Sequence, residues 1–438
     1  MTKAATNPTV RALADIPEYP MQRAAGCPFD PAPGLRALQA QAPIAKVRLW
    51  DGSTPWLVTR YADQRALLAD SRISSDTTAP GYPHVSAGQR ERRTQARSFL
   101  NMDDPEHARL RRMVTAPFTI KRVETLRPAI QQIVDDLIDQ MLAGPTPVDL
   151  VEAFALPVPS LVICHLLGVP YTDHDFFQHT SKLLINRGTP PEVARQAQDT
   201  LNDYLDRLIT DKLARPTDDL LSRLAHQQVR TGELTQQDLV KMAGLLLVAG
   251  HETTANMIAL GTLALLQHPD QLAALRATTD PAMISSTVEE LLRYLSIVHT
   301  GRRRVALTDI EIDDQLIHAG DGVILATEVG NRDEQVFADP DALDLHRDAR
   351  THVAFGFGVH QCLGQPLARV ELQVVYGTLY RRIPTLRLGA DLADISFKHD
   401  GAVYGVYELP VTWSTHPPET GEQTAGIHTE SGEETSCE

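Results

Sequence analysis

The chain has 438 residues, of which 42% are hydrophobic and 22% are charged, which is enough for one large globular domain or two average ones. Its formal net charge of −15 argues against a nucleic-acid partner, because phosphate binding needs a dense basic surface. No run of about twenty apolar residues and no signal-peptide core occurs, so we expect a cytoplasmic protein without a membrane segment.

The two ends of the chain differ from its middle. We predict a flexible N-terminus over residues 1–16, a single globular domain over 17–414, and a disordered tail over 415–438. That last segment carries six acidic residues and no Lys or Arg, which leaves a formal charge of −9 for the rest. We therefore exclude it from the fold.

Strand-like segments alternate with a long helical middle. Residues 45–50 and 56–59 are predicted to form a β-hairpin, because the sequence between them, Asp51 to Pro55, is rich in turn formers. Between about 104 and 295 apolar residues recur at helical spacing, and short strand-like pieces follow near 304–325 and 404–413. The prediction is a mainly α fold with small β-sheets at one side.

One cysteine lies in a loop suited to metal binding. Cys362 follows the glycine-punctuated run from residue 355 and precedes a helix-like run from Gln365. Backbone N–H groups of such a loop and the positive end of the following helix favour a thiolate. Taken alone, however, a single loop cysteine is more often an ordinary buried thiol.

The spacing of Phe355, Gly358, His360, Cys362 and Gly364 resembles the haem-binding signature of the cytochrome P450 family. The resemblance implies the fold of that family, with haem b (iron protoporphyrin IX) buried between the Cys loop and an oxygen-activation helix. Cys362 would be the axial iron ligand, which favours O–O cleavage. The loop residues expected to contact the cofactor are Phe355, Gly356, His360, Cys362 and Gly364.

A second motif lies in residues 245–254. The small residues Ala249 and Gly250 are expected to open space on one face of a helix for dioxygen, and Glu252 and Thr253 to supply protons to it. Taken alone, such a pair more often consists of a solvated carboxylate and an alcohol bonded to its own helix. The segment resembles the oxygen-activation motif of the family, which favours the catalytic interpretation.

Glu290 and Arg293 lie three residues apart on one predicted helical face, where they can form a charge-assisted pair. They resemble the Glu-x-x-Arg of the family, whose role is structural. The family often has an Arg where this chain has Ala342, so we expect Arg347 to take its place.

The two propionates of a buried haem need nearby cations. His107 and Arg111, one turn apart on a predicted helix, match the family's propionate-binding His-x-x-x-Arg, although such a pair alone is more often a solvated basic face. Arg304, chosen among three consecutive arginines by its spacing to Asp309, and His360 are expected to join them.

By analogy with the family, the pocket above the iron is apolar and binds a substrate by area and shape. The basic run 87–97 is expected to be a solvated helix face. Binding of an acidic substrate by this run is a weak alternative. The residues expected to line the pocket are Leu246, Ala249, Ile297, Val298 and Val403.

The resemblance extends from about Pro20 to Trp413 and includes both actinomycete hydroxylases and the fungal nitric oxide reductases of the family, of which the retained Glu252 and Thr253 favour the hydroxylases. It implies a monomeric mono-oxygenase that uses dioxygen, with electrons from a ferredoxin and a ferredoxin reductase. The substrate expected is a small, mostly apolar molecule, such as a terpenoid, polyketide, other natural product or xenobiotic, which is hydroxylated or epoxidised. Arg109, Arg112 and Arg369 are candidates for attracting an acidic ferredoxin.

Three other activities remain as alternatives. Nitric oxide reductases of the family and fatty-acid peroxygenases both tend to lack the acid and alcohol that this chain retains as Glu252 and Thr253. A haem-based sensor would need an output module, and no signalling or DNA-binding segment is evident in the sequence. Mono-oxygenation is therefore the favoured activity.

Overall fold

The computed structural model describes residues 16–24, 26–95 and 98–414, without the side chains of residues 92–95. Residues 1–15 of the predicted flexible N-terminus, and the whole predicted acidic tail, lie outside the described residues. The described part is mainly helical with small sheets, as the sequence predicts.

The α-helices differ widely in length, from one turn to 32 residues. In chain order they are α1 (Pro33–Gln41), α2 (Tyr61–Ala69), α3 (Ala87–Gln95), α4 (Glu106–Thr115), α5 (Ile120–Glu124), α6 (Arg127–Ala143), α7 (Pro157–Leu167), α8 (His174–Ile185), α9 (Pro191–Ala214), α10 (Leu220–Leu224), α11 (Gln236–Gln267), α12 (Pro269–Ala277), α13 (Pro281–Leu295), α14 (Thr327–Gly330) and α15 (Gln365–Arg382).

Capping residues determine where the helices around the site begin. The Thr235 side chain accepts the N–H of Asp238 at the start of α11, and the Asp280 side chain accepts the N–H of Ala282 at the start of α13. Helix α15 begins directly after Gly364, with a proline in its first turn. Cys362 therefore lies three residues before Gln365, the first residue of α15.

The strands form three small sheets, and the first contains the predicted hairpin. Antiparallel pairing joins Ile44 to Val58 and Lys46 to Trp56, which confirms that prediction. The sheets have the orders β1-β2-β8-β5-β3, β4-β10-β9 and β6-β7. The strands are β1 (Ile44–Lys46), β2 (Trp56–Val58), β3 (Ile73–Ser74), β4 (Val148–Asp149), β5 (Arg302–Ala306), β6 (Ile310–Ile312), β7 (Gln315–Ile317), β8 (Gly322–Leu325), β9 (Arg387–Leu388) and β10 (Pro410–Thr412).

The long helix α11 lies at the centre of the helical part, packed against α7, α9 and α15. Most of its residues are buried, and most of its buried apolar side chains belong to one large hydrophobic cluster shared with α6, α13 and α15. None of the helices in the described ranges is both long and apolar enough to cross a membrane. The Cys loop, which leads into α15, is thereby placed beside the packed centre of the protein.

Candidate active site

The loop that carries Cys362 is closed by a backbone hydrogen bond and two left-handed glycines. The N–H of Cys362 donates to the carbonyl of Phe355 at 2.9 Å. Gly356 and Gly358 have φ angles of +75° and +72°, which residues with a Cβ atom rarely adopt. A Cβ on Gly358 would also lie 2.3 Å from the carbonyl oxygen of Leu68 in α2. The loop therefore depends on glycine at position 358 to reach its place against α2.

The groups around the Cys362 thiol have opposing effects on its pKa. Burial raises its pKa, whereas Arg302, the N–H of Gly364, Arg111 and the N–H of Gln365 favour the thiolate. The side chain is nevertheless accessible, so it faces a space within the protein rather than packed atoms. The N–H groups that favour the thiolate lie at the start of α15, and a cationic partner such as a metal ion would complete the stabilisation of the thiolate.

Several basic side chains surround this space. His107 and Arg111 lie on the same face of α4, and Arg111 donates to the carbonyl of Gln361 at 2.6 Å. The rings of His107 and His360 are 4.0 Å apart between centroids. Burial, followed by Arg304, His107 and Arg111, lowers the pKa of His360 to about 3. The structure therefore brings together all four residues that the sequence proposes for the propionates.

Arg302 is a fifth basic side chain, and it was not among the residues predicted from the sequence. It shares a face of β5 with Arg304, because alternate residues of a strand point the same way. Its guanidinium donates to the carbonyl of Ala354 at 2.7 Å, and burial lowers its pKa to about 10. The alternation of the Arg302–Arg304 run was the sequence signal that could have identified both residues together.

The oxygen-activation segment of α11 presents different residues to different sides. Ala249 is exposed although it lies in the middle of a largely buried helix, and the Thr253 hydroxyl, one turn later, donates to its carbonyl at 2.8 Å. Gly250 does not open space beside Ala249 as predicted, because a Cβ there would lie 3.0 Å from Ile163 of α7. Its small size instead allows α7 to pack closely.

Glu252 is held by partners that do not belong to the Cys loop. It is buried, and its carboxylate accepts from Lys398 Nζ at 3.2 Å and from Asn256 Nδ2 at 3.1 Å. Burial would raise the pKa of Glu252, but Lys398, His251 and Asn256 lower it overall. Lys398 could not be predicted from the sequence, since no local pattern links positions 146 residues apart.

The Glu290–Arg293 pair lies in the core, with both side chains inaccessible. Arg293 binds Glu290 through Nε at 2.7 Å and Nη2 at 2.8 Å, and also donates to the carbonyls of Asn331, Pro340 and Ala342. Arg347 Nε lies 3.2 Å from Glu290, which confirms it as the expected third partner. The backbone of Ala342 therefore contributes although its side chain cannot.

The expected pocket residues are placed around α11 and its neighbours. Leu246 and Ile297 are buried, Val298 is half-buried, and Val403 is buried beside the segment of Ile297, whose carbonyl accepts the N–H of Tyr404 at 2.7 Å. This hydrogen bond brings the 297 and 403 segments together. Together with Ala249 they remain our proposed walls for the substrate.

The basic residues proposed for partners differ in their surroundings. Arg109 pairs with Glu106 at 2.6 Å, and Arg369 pairs with Glu289 at 2.6 Å, whereas Arg112 is exposed. Of the basic run 87–97, Arg90 is an exposed residue of α3, and the arginines from position 92 onward lie outside the described side chains. Arg112 is therefore the most accessible of the three arginines considered for a ferredoxin.

The residues fit a haem. In the described parts of the chain, no group of three His, Cys, Asp or Glu side chains could hold a metal ion, so iron bound by Cys362 would need a cofactor to supply its other ligands. A Cβ on Gly364 would meet nothing within 4 Å, and His107 Nε2 is buried with no hydrogen-bond partner among the described residues. A flat ring beside Gly364 and a propionate at His107 would satisfy both. Fold and site together define a haem-thiolate protein.

Comparison with known proteins agrees. Residues 45–383 match the sequence model of the cytochrome P450 family. The chain is 57% identical over 401 residues to cytochrome P450 GfsF of Streptomyces halstedii, covering 91% of this chain and 97% of that protein. The crystal structure of GfsF superposes with a TM-score of 0.85 over 91% of this chain and 100% of that one.

Two further relatives have names that state a substrate. The vitamin D3 dihydroxylase of Streptomyces griseolus is 46% identical over 414 residues, covering 94% of this chain and 100% of that protein. The crystal structure of MycCI, the mycinamicin VIII C21 methyl hydroxylase of Micromonospora griseorubida bound to mycinamicin VIII, is 42% identical with a TM-score of 0.85, over 91% of this chain and 100% of that one. This chain belongs to the cytochrome P450 family, and its activity is that of a monooxygenase.

Proposed function

We propose that the protein binds haem b through Cys362 and hydroxylates a C–H bond of a mostly apolar natural product or xenobiotic, with electrons from a ferredoxin and its reductase. The observation that carries the proposal is the Cys362 side chain, which is accessible within the protein and held by the N–H groups of Gly364 and Gln365. When bound, the haem supplies the activation of dioxygen.

The chain itself supplies binding and protons. The two propionates would be held by five basic residues, namely Arg111, Arg302, Arg304, His107 and His360. Ala249 leaves room beside α11 for dioxygen. The Thr253 hydroxyl, now bonded to the Ala249 carbonyl, would turn to donate a proton on that side. Glu252 would replenish this proton from water.

The proposed substrate class rests on the pocket walls and on the relatives. Leu246, Ile297 and Val403 offer apolar surface, which selects by area and shape rather than by charge. The relatives named for vitamin D3 and mycinamicin VIII act on substrates of this kind, and both are hydroxylases by name. Vitamin D3 and mycinamicin VIII are therefore reasonable first probes for this chain.

The decisive experiment begins with the haem-loaded protein. The reduced, carbon-monoxide-bound form should absorb at about 450 nm, as thiolate ligation requires, and Cys362→Ser should lose that band. Cys164→Ser is the matched control, because Cys164 is a buried thiol of α7 outside the site. Retention of the band in Cys362→Ser would contradict the assignment of the ligand.

Turnover then tests the reaction. Vitamin D3 and mycinamicin VIII are each titrated while the haem spectrum is recorded, and compounds that shift it are incubated with a ferredoxin, its reductase and labelled dioxygen. One labelled oxygen atom in the product supports hydroxylation. Turnover of nitric oxide with a nicotinamide alone, or product formed only with peroxide, would instead support a reductase or a peroxygenase.

A further inference from the structure

A turn near the end of the chain contacts the Glu252 site. Residues 396–407, here called the 396–407 turn, are held together by the N–H of Lys398 donating to Gly405 O at 2.8 Å and the N–H of Tyr407 donating to Ser396 O at 2.9 Å. Phe397 and Val406 form an antiparallel bridge between its two sides. Lys398 and Val403 are therefore parts of one small, hydrogen-bonded unit.

The tip of the 396–407 turn is tied to the end of α8 and to the segment of Ile297, which is proposed to line the substrate pocket. The N–H of Ala402 donates to the carbonyl of Ile185 at the end of α8 at 3.2 Å, and the N–H of Arg187 donates to Asp400 O at 2.9 Å. The N–H of Tyr404 donates to Ile297 O at 2.7 Å. A shift of α8 or of the segment around Ile297 therefore moves the tip of the turn.

The base of the turn is tied to α11. Lys398 Nζ donates to Glu252 Oε1 at 3.2 Å, and the Asn256 side chain donates to the same oxygen at 3.1 Å. A Cβ on Gly405 would lie 1.9 Å from Asn256 Oδ1, so the backbone of the turn is in direct contact with Asn256. The turn therefore controls both groups that hold the Glu252 carboxylate.

Glu252 also lines a cleft of about 370 Å³ that reaches the surface. Its ionisable lining includes Glu152, Asp175, His179, Lys182, Lys398 and Asp400, while His251 lies behind Glu252 with Nε2 3.8 Å from Oε2. A cleft with so many polar groups can hold water. It provides a route for protons between the surface and Glu252.

We propose that the 396–407 turn couples occupation of the substrate pocket to proton delivery, with Lys398 as the positioning residue that holds Glu252 in the cleft until the turn moves. Once released, the carboxylate accepts a proton from cleft water and donates it towards the Thr253 hydroxyl, returning to its ionised form. One proton moves inward per cycle and no electrons are exchanged in this step. The inference rests on the proposed function.

Lys398→Gln tests the proposal in two independent ways. Without the cation, the buried Glu252 should bind a proton at higher pH, which infrared spectroscopy detects as a protonated carboxyl band after subtraction of the Glu252→Gln spectrum. Without the restraint, protons should reach the haem before substrate does, so peroxide formed in the absence of substrate should rise by about tenfold. The infrared measurement needs no turnover, so failure of the proposed function would be seen separately, in the carbon-monoxide spectrum and the oxygenated product.

Three further variants separate positioning from general effects. Lys398→Arg should restore low substrate-free peroxide, and Lys121→Gln should behave like the parent, because Lys121 is an exposed residue of α5 that does not line the cleft. In a Glu252→Gln background, Lys398→Gln should add nothing. An unchanged infrared band together with unchanged peroxide in Lys398→Gln would overturn the proposal, as would an equal effect of Lys121→Gln.

Discussion

His107 is a single residue with one satisfied and one unsatisfied nitrogen. Its Nδ1 lies 2.9 Å from Asp104, while its buried Nε2 has no partner among the described residues. We expect His107→Ala to increase the rate of haem loss by about tenfold, because a hydrogen bond to a charged group contributes about 1.5–3 kcal/mol. Transfer of haem to apomyoglobin measures this rate.

The control for His107 is His318→Ala, since that histidine lies on the exposed β6–β7 side, with its side chain 64% exposed. Equal rates of haem loss in the parent and in His107→Ala would show that the propionates depend on the other cations alone.

Glu289 makes the stability of the protein depend on pH. The carboxylate is buried, and although burial raises its pKa, His352 and Arg369 lower it to about 2. Because the folded-state pKa lies below the ordinary value of about 4.5, its contribution is present above about pH 4.5 and is lost as the pH falls towards 2. Glu289→Gln should therefore reduce the free energy of unfolding by about 3 kcal/mol at pH 7, with the difference shrinking in acid.

Urea unfolding at several pH values measures the effect of Glu289→Gln. Asp348→Asn is a sharp control, because hydrogen bonds from Arg350 also lower the pKa of Asp348 to about 2, but that pair is fully exposed. Exposed pairs contribute little to stability. A loss in Asp348→Asn as large as that in Glu289→Gln would contradict the assignment of the effect to burial.

Among the elements, the Cys loop is notable for Gly358 and Gly364, which are glycines for different physical reasons. Gly358 needs a left-handed φ and touches Leu68, whereas Gly364 has a φ of −81° and free space for a Cβ. Gly358→Ala should distort the loop and lower the thermal stability of the apoprotein. Gly364→Ala should leave that stability unchanged but weaken haem binding, since the added methyl would enter the space proposed for the ring.

Differential scanning calorimetry of the two apoproteins and haem titration of each variant test this contrast. If Gly364→Ala binds haem as well as the parent does, the ring does not approach that position.

The elements that could be predicted from sequence are those with a local signal. Helical periodicity, the turn from Asp51 to Pro55 and the spacing around Cys362 are all local, and the corresponding helices, hairpin and loop are present. Strands β3, β4 and β9 have two residues each, too few to show alternation. Tertiary packing determines which side of α11 carries Gly250 and brings Lys398 to Glu252. Neither feature could be predicted from a local sequence pattern.

On the scale of the whole molecule, charge determines how a partner can approach. The chain carries a formal charge of −15, so it would repel the proposed acidic ferredoxin at distances within a Debye length of about 8 Å. Attraction of that partner would therefore have to be local. We expect Arg112→Glu to slow ferredoxin-driven reduction by about fivefold, with a weaker dependence on salt, as measured by stopped-flow formation of the carbon-monoxide complex.

Arg215→Glu is the matched control for Arg112→Glu, because Arg215 is an 84% exposed side chain at the end of α9. Chemical reduction by dithionite should be the same in all three proteins. Equal slowing by both variants would indicate an effect of total charge rather than a docking position.

The close approach of Gly405 to Asn256 has a consequence for enzyme engineering. Libraries that alter Val403 to accept new substrates will also displace the backbone that supports Asn256 and Lys398. Improved variants from such libraries should waste more reducing equivalents as peroxide, and later rounds of selection should recover efficiency through changes at positions 256 and 398. Selectivity and coupling in this enzyme are thus best optimised together.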